Sequence, residues 1–435
     1  MALLVLAAVP AVALPVAEGQ PVGAASPADP RAPDSIPTEL RYELAIDRYL
    51  TSTAAADTLL SIHRVLYTAQ DGLLPPVLWP EDRFGSVAGG VTYRLARSVL
   101  LDNVLDHIVF LAQHEVFGHG ARYRELGYVD NSFHLSLFFP YGDAHGYAST
   151  GVSTQPTSGI DRVLRIAGGN EATTVLARNL RSRWSARGSL HYHELFLYVA
   201  STCNLPLYVI GTQLGVLAGP ANDINQYLAA LGSIEVDVDL SSLSLKRLSR
   251  YALLSFADPF LYSSIVAYVG YLGSGRAEWG VPMLPTGSVR YAPSFHLMLA
   301  PFGPEFVMEN YLRLPGRSLE VSVRFTDPSV CSAFGAACCV SPAARFTIAT
   351  VPITIDAAGA IWYQPVLPDP TDLPILLVAD DATEGAGGMA AVSARVGLLP
   401  ASGLYVELMA KSDGYVEGEP LYGCVLLRGG LALRL

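Results

Sequence analysis

Two hydrophobic periodicities divide the chain near Pro282. From about Ile36 to Gly280, apolar residues recur at three- and four-residue intervals, the period of an amphipathic helix. Caps and breakers split this stretch into predicted helices near 38–70, 93–126, 158–186, 190–218, 220–231 and 244–273. After Pro282 the period falls to two, as in strands with two unlike faces. In SLEVSVRFT, Leu319, Val321, Val323 and Phe325 alternate with Glu320, Ser322, Arg324 and Thr326. Val392, Val396 and Leu398 oppose Ser393 and Arg395, and Leu404, Val406 and Leu408 oppose Tyr405, Glu407 and Lys411. Strands are predicted near 288–300, 304–314, 317–327, 344–356, 360–366, 389–399, 403–411 and 422–435. The expected fold class is α+β: a helical N-terminal part followed by an antiparallel, approximately eight-stranded β-barrel.

From the second strand onward the predicted connections alternate in length. LPGRS, AAGA and PASG are short, whereas 328–343, 367–388 and 412–421 are long. This layout resembles the small bacterial outer-membrane β-barrels, with short turns on one side and long loops on the other. The resemblance implies a transmembrane barrel whose aliphatic face meets lipid. Arg290, Glu309, Glu320, Arg324, Arg395, Glu407 and Arg428 would then pair in the interior. A soluble sandwich or barrel would turn the apolar face inward, and periodicity alone does not choose between them. Pro352 falls inside a predicted strand, where it lacks a ladder donor.

Composition adds to the membrane reading. Hydrophobic residues make up 51% and charged residues 15%, and mean hydropathy is +0.34, above ordinary soluble usage. A net charge of −11 without any basic cluster argues against nucleic acid as a partner. Residues 1–19 form an apolar stretch ending in small residues, similar to a secretory signal peptide but without its leading basic residues. Residues 20–35 read as a Pro/Ala-rich linker. The expected division is therefore 36–281 for the helical domain and 282–435 for the barrel. Leu195–Gly219 and Tyr251–Gly273 are each long and apolar enough to span a bilayer, or to be buried core helices. CSAFGAACC offers Cys331, Cys338 and Cys339 for a local disulfide, and the lack of CxxC argues against a thiolate zinc site.

The candidate chemistry is HEVFGHG, with His114, Glu115 and His119. Two imidazoles can hold a metal, and a glutamate beside the first can take a proton from water. The common zinc motif separates its histidines by four residues; here the separation is five, which leaves them about 140° apart on a regular α-helix. A π-bulge would bring them back together, and Gly118 is the residue type that lets a helix backbone deform. Asp143, His145 and Tyr147 in GDAHGY could contact substrate, though a satisfied loop histidine is the simpler reading. His191, His193 and Glu194 in HYHE read first as a capped helix start, and Asn222 and Asp223 as a polar helix N-terminus without chemistry.

The pattern HExxGH resembles the zinc motif of the dipeptidyl peptidase III family, which shares the five-residue spacing and the glycine before the second histidine. The resemblance covers short stretches only. It implies a third ligand from a glutamate on a following helix, which in RIAGGNEATTVLAR is Glu171, and Gly168 and Gly169 would let that helix approach closely. The implied protein is a zinc-dependent hydrolase of the outer membrane, its helical domain periplasmic. His114, His119 and Glu171 would hold one Zn²⁺, Glu115 would be the base, and a peptide or another envelope molecule the substrate. Two other readings remain: a multi-pass helical membrane metalloprotease with the same ligands, and a non-enzymatic barrel with a helical binding domain.

Overall fold

A computed structural model describes residues 41–76, 84–154, 159–217, 219, 222–232, 243–365, 384–399 and 401–434. The signal-like segment 1–19 and the linker 20–35 lie outside them. The fold is α+β, and residues Glu39–Leu435 make one compact unit. Its helices are α1 (Ser52–Leu73), α2 (Phe84–Arg97), α3 (Asn103–Leu111), α4 (Gly120–Glu125), α5 (Gly159–Arg187), α6 (Tyr192–Gln213), α7 (Asp223–Leu231), α8 (Leu245–Ala252) and α9 (Pro259–Ser274). Short strands β1 (Arg41–Ile46), β2 (Ser132–Leu135), β3 (Gly146–Ser149), β4 (Ser189–His191), β5 (Glu278–Gly280) and β6 (Leu284–Thr286) lie before, among and after them. The long strands are β7 (Val289–Ala300), β8 (Gly303–Leu314), β9 (Arg317–Thr326), β10 (Phe334–Ile348), β11 (Val351–Pro365), β12 (Glu384–Leu399), β13 (Ser402–Lys411) and β14 (Cys424–Arg434).

The sheet is an antiparallel meander of ten strands in the order β1-β14-β13-β12-β11-β10-β9-β8-β7-β6. It is not closed into the barrel expected from the sequence: no ladder joins β1 to β6 or β7 among the described residues. Helical segments take over both edges instead. On one side Thr58 and Ser61 of α1 donate to the Ala45 and Glu43 carbonyls of β1. On the other, the Ser255 hydroxyl accepts the Leu297 amide of β7. Edge groups satisfied in this way remove the open template that an unpaired strand presents. β1 itself lies in the predicted helix 38–70. Six residues alternate too briefly to compete locally with the helical pattern that follows, and their strand form comes from pairing with β14.

The predicted strands 344–356 and 360–366 are also corrected. The hairpin turns at Ala349 and Thr350, so AAGA runs within β11, and CSAFGAACC contributes to β10. Both turn residues have positive φ, 46° and 75°, without the glycine or asparagine that usually marks such a turn. Pro352 then sits beside the turn rather than mid-strand. Cys338 and Cys339 are free thiols, and Cys331 is buried.

The two faces of the sheet differ in the sense the alternation allows. Toward the helices, Glu309 is 0% exposed and Arg428 4% exposed. Arg181 of α5 donates to Glu309 at 2.7 Å, and Arg178 to Glu417 at 3.0 Å. Arg395 pairs with Glu43 and Asp356, and Arg428 with Asp47, Glu407 and Glu419. Arg324 turns to Glu305 at 3.7 Å, whereas Arg290 stays exposed at the start of β7, outside this network. Away from the helices, Val425 is 74% exposed, Ile361 65%, Leu427 63% and Val392 53%.

Helices and strands share their apolar packing. Val175, Leu180 and Trp184 of α5, Leu195, Leu197 and Tyr198 of α6, and Phe260 and Ala267 of α9 form one cluster with Ala292 and Tyr311 of the sheet. The apolar helix α6 is thus a core helix by its contacts. It is the one helix among the described residues long and apolar enough to cross a membrane, and 56% of its most apolar window is buried inside the protein. The predicted helix 244–273 breaks at Asp258, where its two halves bend by 60°.

Candidate metal centre

α2, α3 and α4 belong to one right-handed helix, interrupted by π segments at Ser98–Asp102 and Ala112–His119. The second π segment contains the HEVFGH motif. Its closing bond runs from the Gly120 amide to the Glu115 carbonyl, five residues back. That register stacks residues five apart, so the His114 and His119 rings lie 5.1 Å apart between centroids. A π segment also leaves backbone carbonyls short of partners. Ser52 donates to the Phe117 carbonyl at 2.6 Å, and Arg124 to the Val116 carbonyl at 3.1 Å.

α5 crosses this segment at backbone contact. A Cβ on Gly118 would lie 2.6 Å from the Gly168 carbonyl oxygen and 2.7 Å from Gly169 Cα. A Cβ on Gly169 would lie 2.5 Å from His119 Nε2 and closer still to His114 Nε2. Three glycines therefore create the space in which the two imidazoles converge. His119 Nδ1 donates to the Arg165 carbonyl at 2.6 Å, which leaves Nε2 free as a ligand atom.

The carboxylate beside the imidazoles is Asp223. Its Oδ2 lies 3.8 Å from His114 Nε2 and 3.7 Å from His119 Nε2. Together the three residues offer ligand atoms within 4.8 Å of one another. Asp223 opens α7, where Asn222 caps the helix by accepting the Ile224 and Asn225 amides at 2.9 and 3.1 Å. Asn222 also donates to Thr212 Oγ1 at 2.9 Å and to the Leu217 carbonyl at 2.7 Å, which ties the start of α7 to the end of α6. The Asp223 amide donates to Tyr208 Oη at 3.0 Å.

Glu171 lies two residues beyond Gly169 but does not join this cluster. Its carboxylate accepts Arg122 Nε and Nη2 at 3.1 and 2.5 Å and the Gly418 amide at 2.7 Å. The donors available to it are a guanidinium and a backbone amide, and they orient both oxygens away from the imidazoles. Glu115 is buried, and its Oε1 packs against Gly146 of β3, where a Cβ would lie 2.8 Å away. Asp143 and His145 are exposed on the arm of the β2–β3 connection that returns to β3, paired with each other at 3.4 Å. His191 and His193 are buried in a separate polar network, with His193 Nε2 3.0 Å from Asp71.

The electrostatics suit cation capture. Burial opposes charge on His119, but Asp223, Glu115 and the Arg165 carbonyl outweigh it and raise its pKa to about 9. Burial would also raise the Asp223 carboxyl, yet the two imidazoles hold it well below the usual carboxylate range. Two imidazoles, one carboxylate and a cradle emptied by Gly169 form a group that could hold a metal ion. No family model, curated protein or solved structure matches the chain.

Proposed function

We propose that the chain is a metal-dependent hydrolase of the bacterial outer membrane, acting on a peptide, amide or ester bond of an envelope molecule. The observation that carries this reading is the convergence of His114, His119 and Asp223 on one side of a π segment that also carries Glu115. A divalent ion held there, zinc by donor type, would supply Lewis-acid polarisation of a carbonyl and of water. Glu115, in the same turn, takes the proton released as water attacks and returns it to the leaving group. Its burial and its packing on Gly146 limit its freedom and direct that transfer. The likeness to the HExxGH motif supports the same chemistry, with Asp223 rather than Glu171 as the third ligand.

The membrane assignment rests on the inverted faces of the sheet. Water-soluble monomers rarely leave contiguous apolar patches larger than about 300–600 Å² exposed. Here Val392, Leu404, Val406, Leu408, Val425, Leu427 and Leu431 stand exposed on adjoining strands, while the opposite face carries paired charges. Strands β7–β14 run from 10 to 16 residues, against about 9–11 needed to cross a bilayer. The multi-pass helical reading would need α6 in lipid, whereas Leu195, Leu197, Tyr198, Leu205 and Val209 of α6 are buried in the protein core.

The test is metal content. Wild-type protein purified without chelators should carry about one zinc per chain, and His114→Ala or His119→Ala should lose it. Glu115→Gln should retain the metal and lose turnover. A metal-free wild type would overturn the hydrolase reading.

A further inference from the structure

The β2–β3 hairpin lies directly over the metal helix. Its inner face is fitted to that helix: Phe133 packs where a Cβ on Gly120 would lie 2.7 Å from its ring, and Gly146 packs on Glu115. Phe138 anchors the connection between the strands, with its ring 5.2 Å from His107 and 5.9 Å from Phe196. The neighbouring apolar residues point away. Phe139 is 63% exposed, Tyr141 55%, Tyr147 59%, Leu137 41% and Leu135 37%. The connection turns at Phe138–Tyr141, where the Tyr141 amide donates to the Phe138 carbonyl, so Phe139 and Tyr141 stand at its tip and the exposed Asp143–His145 pair lies on the arm returning to β3.

The height of the site can be read along α5, which rises about 1.5 Å per residue. Leu164 packs with Met298, Ala300 and Phe302 at one end of β7 and with Tyr415 and Leu421 of the 412–423 loop. Gly169, against the two imidazoles, is five residues further, about 8 Å along the axis. Arg181, paired with Glu309 in the middle of β8, lies about 18 Å beyond Gly169. The metal centre is therefore close to the long-loop rim of the sheet rather than at its middle.

We propose that this hairpin is a membrane-seated flap: Leu137, Phe139, Tyr141 and Tyr147 rest in the headgroup–acyl boundary of the bilayer beside Glu115. The proposal rests on the membrane reading of the sheet, whose exposed aliphatic face has the same chemistry. Lipid is the occupant because aromatic rings mixed with aliphatic side chains suit the interfacial level, with Phe139 and Tyr141 leading at the turn and the Asp143–His145 pair behind them among water and headgroups. A rim-level metal centre beneath such a flap faces molecules held at the membrane surface.

The test uses full-length protein reconstituted into phosphatidylcholine vesicles with plain or brominated acyl chains. Phe139→Trp is compared with Val425→Trp on the outer face of the sheet, each corrected for wild-type emission. Tyr147→Trp repeats the measurement at a second hairpin position, so one poorly folding variant does not decide the result. Bromine should quench most of the added emission from both hairpin tryptophans and from Val425→Trp. Quenching at Val425→Trp but at neither hairpin position would overturn the flap and leave the sheet reading standing. Quenching at the hairpin alone would support the lipid contact and overturn the sheet reading. Unquenched emission at all three positions would overturn both.

Discussion

Gly169→Ala separates two opposing effects at one atom. Within a helix, alanine is favoured over glycine by about 1 kcal/mol, so without other contacts the substitution would stabilise α5. The added methyl would instead stand 2.5 Å from His119 Nε2, where ordinary contacts begin near 3.4 Å. One or both imidazoles, or α5 itself, must then shift by about 1 Å. The helix backbone has little room to yield, because Gly118 already meets the Gly168 carbonyl and Gly169 Cα. Overpacking of this kind costs about 1–3 kcal/mol, so the net change should be a destabilisation of up to about 2 kcal/mol despite the better propensity. Ligand bonds near 2 Å tolerate such a shift poorly, and zinc stoichiometry should fall with stability. Thermal unfolding and metal analysis on the same preparation read both effects. A variant that melts higher than wild type and keeps its zinc would refute the convergence of the two imidazoles on Gly169.

The two carboxylates near the centre should respond differently. Asp223→Ala should weaken zinc binding by more than about a hundredfold, beyond what loss of a supporting residue usually costs. Glu171→Ala should cost less than the roughly 3 kcal/mol of an unpaired buried charge, because Arg122 keeps Glu125 at 2.6 Å, and folded protein should keep its zinc; equal zinc loss in both variants would refute the assignment. In metal-free protein, His119 has its pKa raised to about 9, so its contribution to stability is complete below about 6.5 and disappears as pH rises through 9. Zinc competes with that proton, so affinity in a chelator competition should rise up to about tenfold per pH unit between 7 and 9; a flat profile would contradict it. Val392→Arg should impair membrane assembly, read as loss of the heat-dependent gel shift, because an unpaired arginine in lipid costs roughly 2–4 kcal/mol. Assembly equal to wild type would count against a lipid-facing sheet.

Local sequence carried the elements whose signal repeats. The period-two alternation located six of the eight long strands, missing the β10–β11 hairpin, and the five-residue spacing in HEVFGHG announced a π segment, because only an i to i+5 register stacks His114 on His119. The alternation also defined two faces, but it was the α5 arginines and the Glu417 and Glu419 loop that made the charged face the inner one. Nothing local distinguishes Glu171 from Asp223 as a carboxylate for the site. Glu171 has the more suggestive neighbours, Gly168 and Gly169, yet Arg122 and the Gly418 amide claim its oxygens. Asp223 lies far along the chain from His119, placed by the Asn222 cap and its bonds to the end of α6. The ten-strand count and the open edges were likewise tertiary decisions, since β1 gains its strand form from β14 and the helices satisfy the edge groups. Periodicity reports what a segment repeats along itself; the partner of a charge or of a strand edge depends on which distant residue reaches it first.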